Sequence, residues 1–266
     1  MLAFRCPRAL SYCVGALFLS ALSCSQENAS EPQPLMITGW SGALVPVLPL
    51  DQPVQILFSE PILAPVPFSW SLATATGIPV EGLRVESSRS ELRLHPRLPN
   101  CIDLSGGSFL PDSDYILHFA ALPALASLRS HSGAAFLETQ QLHFRTAPLN
   151  SPRALSGLGG VPLRPKLPAM APLWAKGGLL RIPFDGAFDP RSLKEGARWV
   201  RASDGSERVV SLTLASNNFY GSVLEAQLGV EMGWGVFELP LSIVSASGEP
   251  LAEPFRQFRV KVLLAP

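Results

Sequence analysis

Val54, Ile56 and Phe58 alternate with Gln55, Leu57 and Ser59 before Pro61 closes the run. Successive side chains of an extended chain point to opposite faces, so this period of two predicts a strand with one covered face. The alternation returns at Leu92 and Leu94 against Arg93 and His95, and at Tyr115, Leu117 and Phe119 against Ile116 and His118. It returns again at Leu142 and Phe144 against His143 and Arg145. Turn signals at Gly77, Gly82, Gly106, Gly107, Pro111 and Gly133 fall around these runs. The stretch from Ile37 to Ala147 therefore predicts about seven short strands.

The second half repeats the pattern. "LLRIPFDGAFDP" (Leu179–Pro190) answers "QILFSEPI", and Trp199 followed by Gly205 answers Trp70 followed by Gly77. "SASGEPLAEPFRQFRVKV" (Ser245–Val262) answers "SHSGAAFLETQQLHFRTA", with 11 residues from Gly133 to Phe144 and 10 from Gly248 to Phe258. Spacing this similar predicts an internal duplication. Between the halves, Ala147–Leu163 is rich in proline, glycine and serine and reads as a linker. The chain's 26 prolines and 21 glycines are scattered, which favours short strands and turns over helices.

About seven strands is the number of an immunoglobulin-like sandwich. The segments "ILFSEPI", "SELRLHP", "PDSDYILHF" and "SGAAFLETQQLHFRTA" resemble the bacterial Ig-like domain of the SbsA type, found in surface and envelope proteins. The resemblance covers nearly the whole first half and implies a non-enzymatic module. Arg97–Ser113 departs from it, being longer than the family's connection before the penultimate strand. It reads either as an elaborated binding loop or as a harmless insertion.

At the N-terminus, Arg5 and Arg8 precede Ala9–Leu22, about 14 mostly apolar residues, fewer than the roughly 18 needed to span a bilayer. This reads as a secretory leader. Ala21, Leu22, Ser23 and Cys24 resemble the lipobox of bacterial lipoproteins, which implies cleavage before Cys24 and acylation of its sulfur and new amine. An ordinary leader, with Cys24 a bystander, is the competing reading. Cys6 and Cys13 leave with the leader in either case, so acylation of Cys24 leaves Cys101 alone and no internal disulfide possible. Without acylation, Cys24 and Cys101 are free to pair. Ser25–Pro34 is polar and reads as a flexible tether. Ser25 is not the aspartate that retains many such proteins in the inner membrane, so the resemblance implies the outer membrane.

Composition narrows the function. Hydrophobic residues make up 47% and charged residues 16%, and 21 basic residues balance 21 acidic ones. A folded chain without a net field is not built to draw in nucleic acid. With only three tyrosines and many prolines, the chain does not suit an outer-membrane barrel with its aromatic girdles. No nucleophile elbow, paired-histidine zinc helix or phosphate loop is present.

The candidate chemistry is sparse. His118 and His143 both point outward by alternation and, on paired last strands, are candidates to share a zinc or copper ion, although a stable site wants further ligands. Asp112 and Asp114 in "PDSDY" offer oxygens to calcium or, more simply, shape the turn into a strand. Of the five tryptophans, Trp70 and Trp199 occupy matching places in the repeats and read as core. Trp234, in "MGWGVF", sits among glycines expected to leave its face open, and is the candidate contact residue.

The expectation is an all-β protein of two tandem immunoglobulin-like β-sandwiches after a cleaved lipoprotein signal peptide. Its parts are a leader at 1–23, a tether at 24–36, sandwiches at 37–147 and 161–266, and a linker at 148–160. The expected role is structural, spacing or binding, without enzymatic activity or cofactor, anchored by lipid at Cys24 in the outer membrane, facing the periplasm or the cell surface. Partners are the membrane, with envelope proteins or glycans as further candidates. The alternatives are a carbohydrate- or peptide-binding module and an envelope hydrolase with dispersed catalytic residues.

Overall fold

The computed structural model describes residues 33–45, 47–66, 68–122, 126–155, 163–167 and 172–264. Cys24 and the leader expected over 1–23 lie outside the described residues, as does much of the tether.

The first half forms β1 (Ile37–Trp40), a helical turn (Ser41–Leu44), β2 (Val47–Leu48), β3 (Val54–Phe58), β4 (Trp70–Thr74), β5 (Arg84–Ser88), β6 (Glu91–His95), β7 (Asp114–Phe119) and β8 (Gln140–Thr146). They build two four-stranded sheets of order β1-β3-β6-β5 and β2-β8-β7-β4. The alternation decides the facing: Val54, Ile56, Phe58, Leu92, Leu94, Tyr115, Leu117 and Phe119 are buried in one core, and Leu57 is exposed. Each such side chain contributes about 1.5–3 kcal/mol by leaving water. Two aromatic groups fill the middle. Phe58, Phe119 and Phe136 pack with centroids 5.7–6.2 Å apart, and Tyr115 stacks on Phe144 at 5.3 Å with the edge of Phe109 against both.

The first strand divides between the layers. β1 pairs antiparallel with β3, the helical turn carries the chain across, and β2 pairs parallel with β8. The fold begins before Ile37, because Leu35 is buried in the core and its N–H donates to Ala135 O at 3.1 Å.

The second half forms β9 (Leu173–Lys176), β10 (Leu179–Phe184), β11 (Ala197–Arg201), β12 (Glu207–Val210), β13 (Leu212–Ser216), β14 (Ser222–Gln227), β15 (Gly233–Glu238) and β16 (Gln257–Leu263), with a 3-10 turn at Pro190–Leu193. Their hydrogen-bonded order is β12-β11-β15-β16-β9-β10-β14-β13. β9 runs parallel to β16 and touches β10 through the pair Leu179 and Lys176. The ribbon folds over at that strand, and its two flanks enclose a second core that includes Ile182, Phe184, Trp199, Leu224, Phe237 and Val260. The fold is all-β, and each half is a sandwich in which the strand leading into the first hairpin also pairs parallel with the last strand.

The repeat extends to individual hydrogen bonds. In "SHSG", Ser130 N–H donates to Ala134 O at 2.8 Å, and the Ser130 hydroxyl meets Ser132 Oγ at 2.8 Å and accepts from Ala134 N–H at 3.0 Å. In "SASG", Ser245 N–H donates to Glu249 O at 2.8 Å, and the Ser245 hydroxyl meets Ser247 Oγ at 2.7 Å and accepts from Glu249 N–H at 3.1 Å. Gly133 and Gly248 close these turns at φ 89° and 80°, where other residues are strained. The turns bridge to Ile62 and Phe188 respectively, just after the matching segments "ILFSEP" and "IPFDGA".

The proline- and glycine-rich connection is not a free linker along its first part. Ala154 and Leu155 are buried in the first core, and Leu50 N–H donates to Ala154 O at 2.8 Å. Residues from Gln33 onward belong to one compact unit, so the two sandwiches are packed against each other.

Candidate interaction surfaces

The residues of "PDSDY" make a corner. Asp112 has φ 52°, the left-handed conformation a tight turn demands, and Leu110 N–H donates to Tyr115 Oη at 2.7 Å. A tyrosine at the start of a penultimate strand that reaches back to the preceding backbone is the corner lock of Ig-like sandwiches. Burial pushes the Tyr115 hydroxyl above the ordinary tyrosine range. Arg145, opposite Asp114 on β8, places its guanidinium 3.0 Å from Asp112 and 3.7 Å from Asp114. Its bond to Asp112 raises the guanidinium's pKa further. The two carboxylates thus have a cation between them that the sequence pattern did not reveal.

His118 and His143 lie on paired β7 and β8, where Ile116 faces His143 and His118 faces Gln141. They are diagonal neighbours on the outer face, a relation that sets residues roughly 7–8 Å apart. Among the described residues no group of three or more His, Cys, Asp or Glu side chains is arranged to hold a metal ion.

The long Arg97–Ser113 connection packs into the fold on its inner side. Leu104 and Phe109 are fully buried, so the connection closes one end of the first core. Its outer side meets the second sandwich. Asn217, 6% exposed, donates from Nδ2 to Pro99 O at 2.8 Å and to Phe188 O at 3.0 Å. Its Oδ1 accepts from Phe188 N–H at 3.0 Å and from the Ser222 hydroxyl at 2.8 Å. Arg191, opposed by Asp189 at 2.7 Å, donates from Nη1 to Leu149 O and Ser151 O, both at 2.8 Å. Ala246 of the repeated serine turn packs against the first core. A cleft of about 610 Å³ beside this junction is lined by Cys101, Ile102, Leu149, Leu193 and Leu212 among others.

Cys101 is exposed and in no disulfide among the described residues, its thiol donating to Asn100 Oδ1 at 3.5 Å. With Cys24 acylated it has no disulfide partner in its own mature chain, so dithiothreitol should leave the melting temperature of membrane-extracted protein unchanged. A downward shift on reduction, seen by differential scanning fluorimetry, would reveal a Cys24–Cys101 bond and exclude lipid on Cys24.

The tryptophans separate as their positions in the repeats suggest, with differences. Trp199 is buried at 4% exposure, while Trp70 and Trp40 are partly buried against the first core. Trp234 is 38% exposed, as expected of a contact residue, but Gly235 does not serve to open its face. Gly235 lies on the opposite, inner face, where an added Cβ would collide with the Trp199 ring and stand 2.5 Å from Val200 O. Beside Trp234 stands Trp174, 50% exposed, which sequence reasoning passed over. The alternation in "LWAK", with Leu173 and Ala175 inward, is the signal that places Trp174 and Lys176 outward.

No family model and no curated protein matches the chain. Among solved structures, the chain is similar to the N-terminal part of the bacterial S-layer protein SbsC, at TM-score 0.32 and 10% identity, over 87% of this chain and 44% of that one. It is similar also to the alpha-2-macroglobulin of E. coli, at TM-score 0.38 and 12% identity, over 87% of this chain and 14% of that one. SbsC domains 4 and 5 align at TM-score 0.18 and 7% identity, over 88% of this chain and 97% of theirs. The chain thus spans less than half the length of the first two structures. The class of the protein rests on its own strand order and register: a pair of Ig-like β-sandwiches joined by a hydrogen-bonded junction.

Proposed function

We propose that this chain is a lipid-anchored envelope protein with a non-enzymatic spacing role, in which two sandwiches act as one arm. The observation that carries the reading is the junction, where Asn217 and Arg191 of the second sandwich bond backbone carbonyls of the first. A flexible pair of modules needs no such bonds, whereas an arm that sets a distance does. The direction of the arm follows from the topology. The chain enters beside Ala135, in the β7–β8 connection, whereas the junction lies at the other end of the first sandwich, by Pro99 and Leu149. The β9–β10 and β14–β15 turns are then the most distant part of the second sandwich. The lipid at Cys24 and the polar segment Ser25–Pro34 supply anchor and tether in this reading, by resemblance of "ALSC" to a lipobox.

Protease treatment of intact and of outer-membrane-permeabilised cells, followed by mass spectrometry, tests it. The released fragments should begin within Ser25–Pro34 and contain both sandwiches. Release that requires cuts inside either sandwich would overturn the tethered arm.

A further inference from the structure

The outer face of β11, β15, β16 and β9 carries a row of three side chains in direct register: Trp234 opposite Lys261, and Lys261 opposite Trp174. The two indoles are 6.3 Å apart between centroids and tilted by 49°. The Lys261 ammonium stands 5.6 Å from the Trp174 ring and 5.4 Å from the Trp234 ring, and the Arg259 guanidinium 5.5 Å from Trp234. Lys176 extends the same face by one step along β9.

The charges on this face divide in two. Arg198 is held by Glu207 and Glu238. Lys176, Arg259 and Lys261 have no carboxylate partner among the described residues. Three unopposed cations around two exposed indoles form a surface complementary to a ligand with anionic groups and apolar, flat-sided rings.

We propose that this face binds a carboxylated polysaccharide, with sugar faces stacked on Trp174 and Trp234 and carboxylates drawn to Lys261, Arg259 and Lys176. A peptide is the poorer occupant for a topological reason. β15 and β16 are paired along both sides and so offer no free edge on which an extended peptide adds main-chain bonds, while β9 is a four-residue strand paired along β16 and tied to β10 at Lys176. Recognition on such a face must come from side-chain surfaces, and the stacking of rings on indoles is of that kind. The face lies on the half of the molecule farthest from where the chain enters, so an arm anchored at its N-terminus would present it to material away from its own membrane. The binding itself does not depend on the anchor, and its test uses lipid-free protein.

The probe is polygalacturonate, added to the mature chain carrying Cys24→Ala, with binding read by affinity electrophoresis and by tryptophan fluorescence. The parent should be retarded and its fluorescence altered, with an effect that falls as salt rises. Pullulan, which is neutral, should do neither. Trp174→Ala and Trp234→Ala should each weaken binding at least tenfold, and Lys261→Met severalfold, while Arg198→Gln should leave it within twofold. Trp174→Phe should retain most of the binding, which separates loss of stacking from loss of fold, and melting curves should coincide for all variants compared. Absence of retardation, equal retardation by polyaspartate, or binding that survives loss of both indoles would overturn the proposal. Stronger binding to phosphatidylglycerol vesicles than to polygalacturonate would overturn it in favour of a membrane surface, which the exposed Val230, Met232 and Leu264 nearby would then meet.

Discussion

Replacing Cys24 by alanine should move the mature protein from the detergent phase to the aqueous phase in a phase-separation assay, the largest change expected of any single substitution. Each buried methylene contributes about 0.8 kcal/mol to membrane attachment, and one chain alone binds only marginally. Two or three chains on one residue therefore make attachment effectively permanent, and their removal should lower membrane partitioning by at least about two orders of magnitude. Among the described residues no helix is long and apolar enough to cross a bilayer and replace the lipid. The Cys24→Ala chain should be produced without residues 1–23, so that an uncleaved leader does not itself hold it in the membrane. Incorporation of a labelled fatty acid into the parent and not into the variant provides the second readout. Equal detergent partitioning of the two forms would remove the anchor, and with it the tethered arm.

The second large effect is expected at Asn217. Its amide is saturated by two donations and two acceptances, in a site 6% exposed to solvent. Alanine there leaves Phe188 N–H without its acceptor and the Phe188 and Pro99 carbonyls without their donor. A buried polar group stripped of its partner costs about 1–3 kcal/mol. Because the three groups share one pocket, their costs do not simply add, and a total loss of about 3–5 kcal/mol is expected, measured by urea unfolding. Asn217→Asp should be no better, since it sets a carboxylate against two carbonyl oxygens. Ser222→Ala should be milder, about 1 kcal/mol, because it removes one hydroxyl and leaves the amide's bonds to Phe188 and Pro99. A loss below about 1 kcal/mol in Asn217→Ala would mean that the junction is not held through this side chain.

These two residues illustrate what was legible from the chain alone. Cys24 is singled out by a resemblance that is local in the chain, a short apolar run, small residues and a thiol adjacent in sequence, and its acylation is the proposal tested above. Asn217 gives no such sign, because its partners Pro99, Phe188 and Ser222 come from three separate segments. The long connection Arg97–Ser113 was visible as a departure from a family pattern, but its purpose was not. Its buried Leu104 and Phe109 close the first core, and its outer side faces the second sandwich.

The candidate sites divide in the same way. Trp234 was singled out, because five tryptophans are few enough to weigh singly and the repeats assign two of them to the core, and its ring is exposed. Its neighbour Trp174 was not, since nothing local says that β9 runs parallel to β16 and brings the ring beside it. Asp112 and Asp114 were read as a pair, and the structure adds the cation, Arg145, that stands against both. The edge strand β5 escaped the alternation rule altogether, because every one of its residues is exposed and an edge with no covered face has no period to show.

Alternation, turn residues and matched spacing are properties of neighbours along the chain, and they already carry the all-β class, the interior side of the central strands and the repetition of one sandwich plan. The division of each half's first strand between layers, the lock between the sandwiches at Asn217 and Arg191, and the cations gathered around Trp174 and Trp234 emerge when the chain is folded. Those depend on pairing between residues far apart in the chain, and hydrogen bonding across such distances leaves no periodic trace in the order of amino acids.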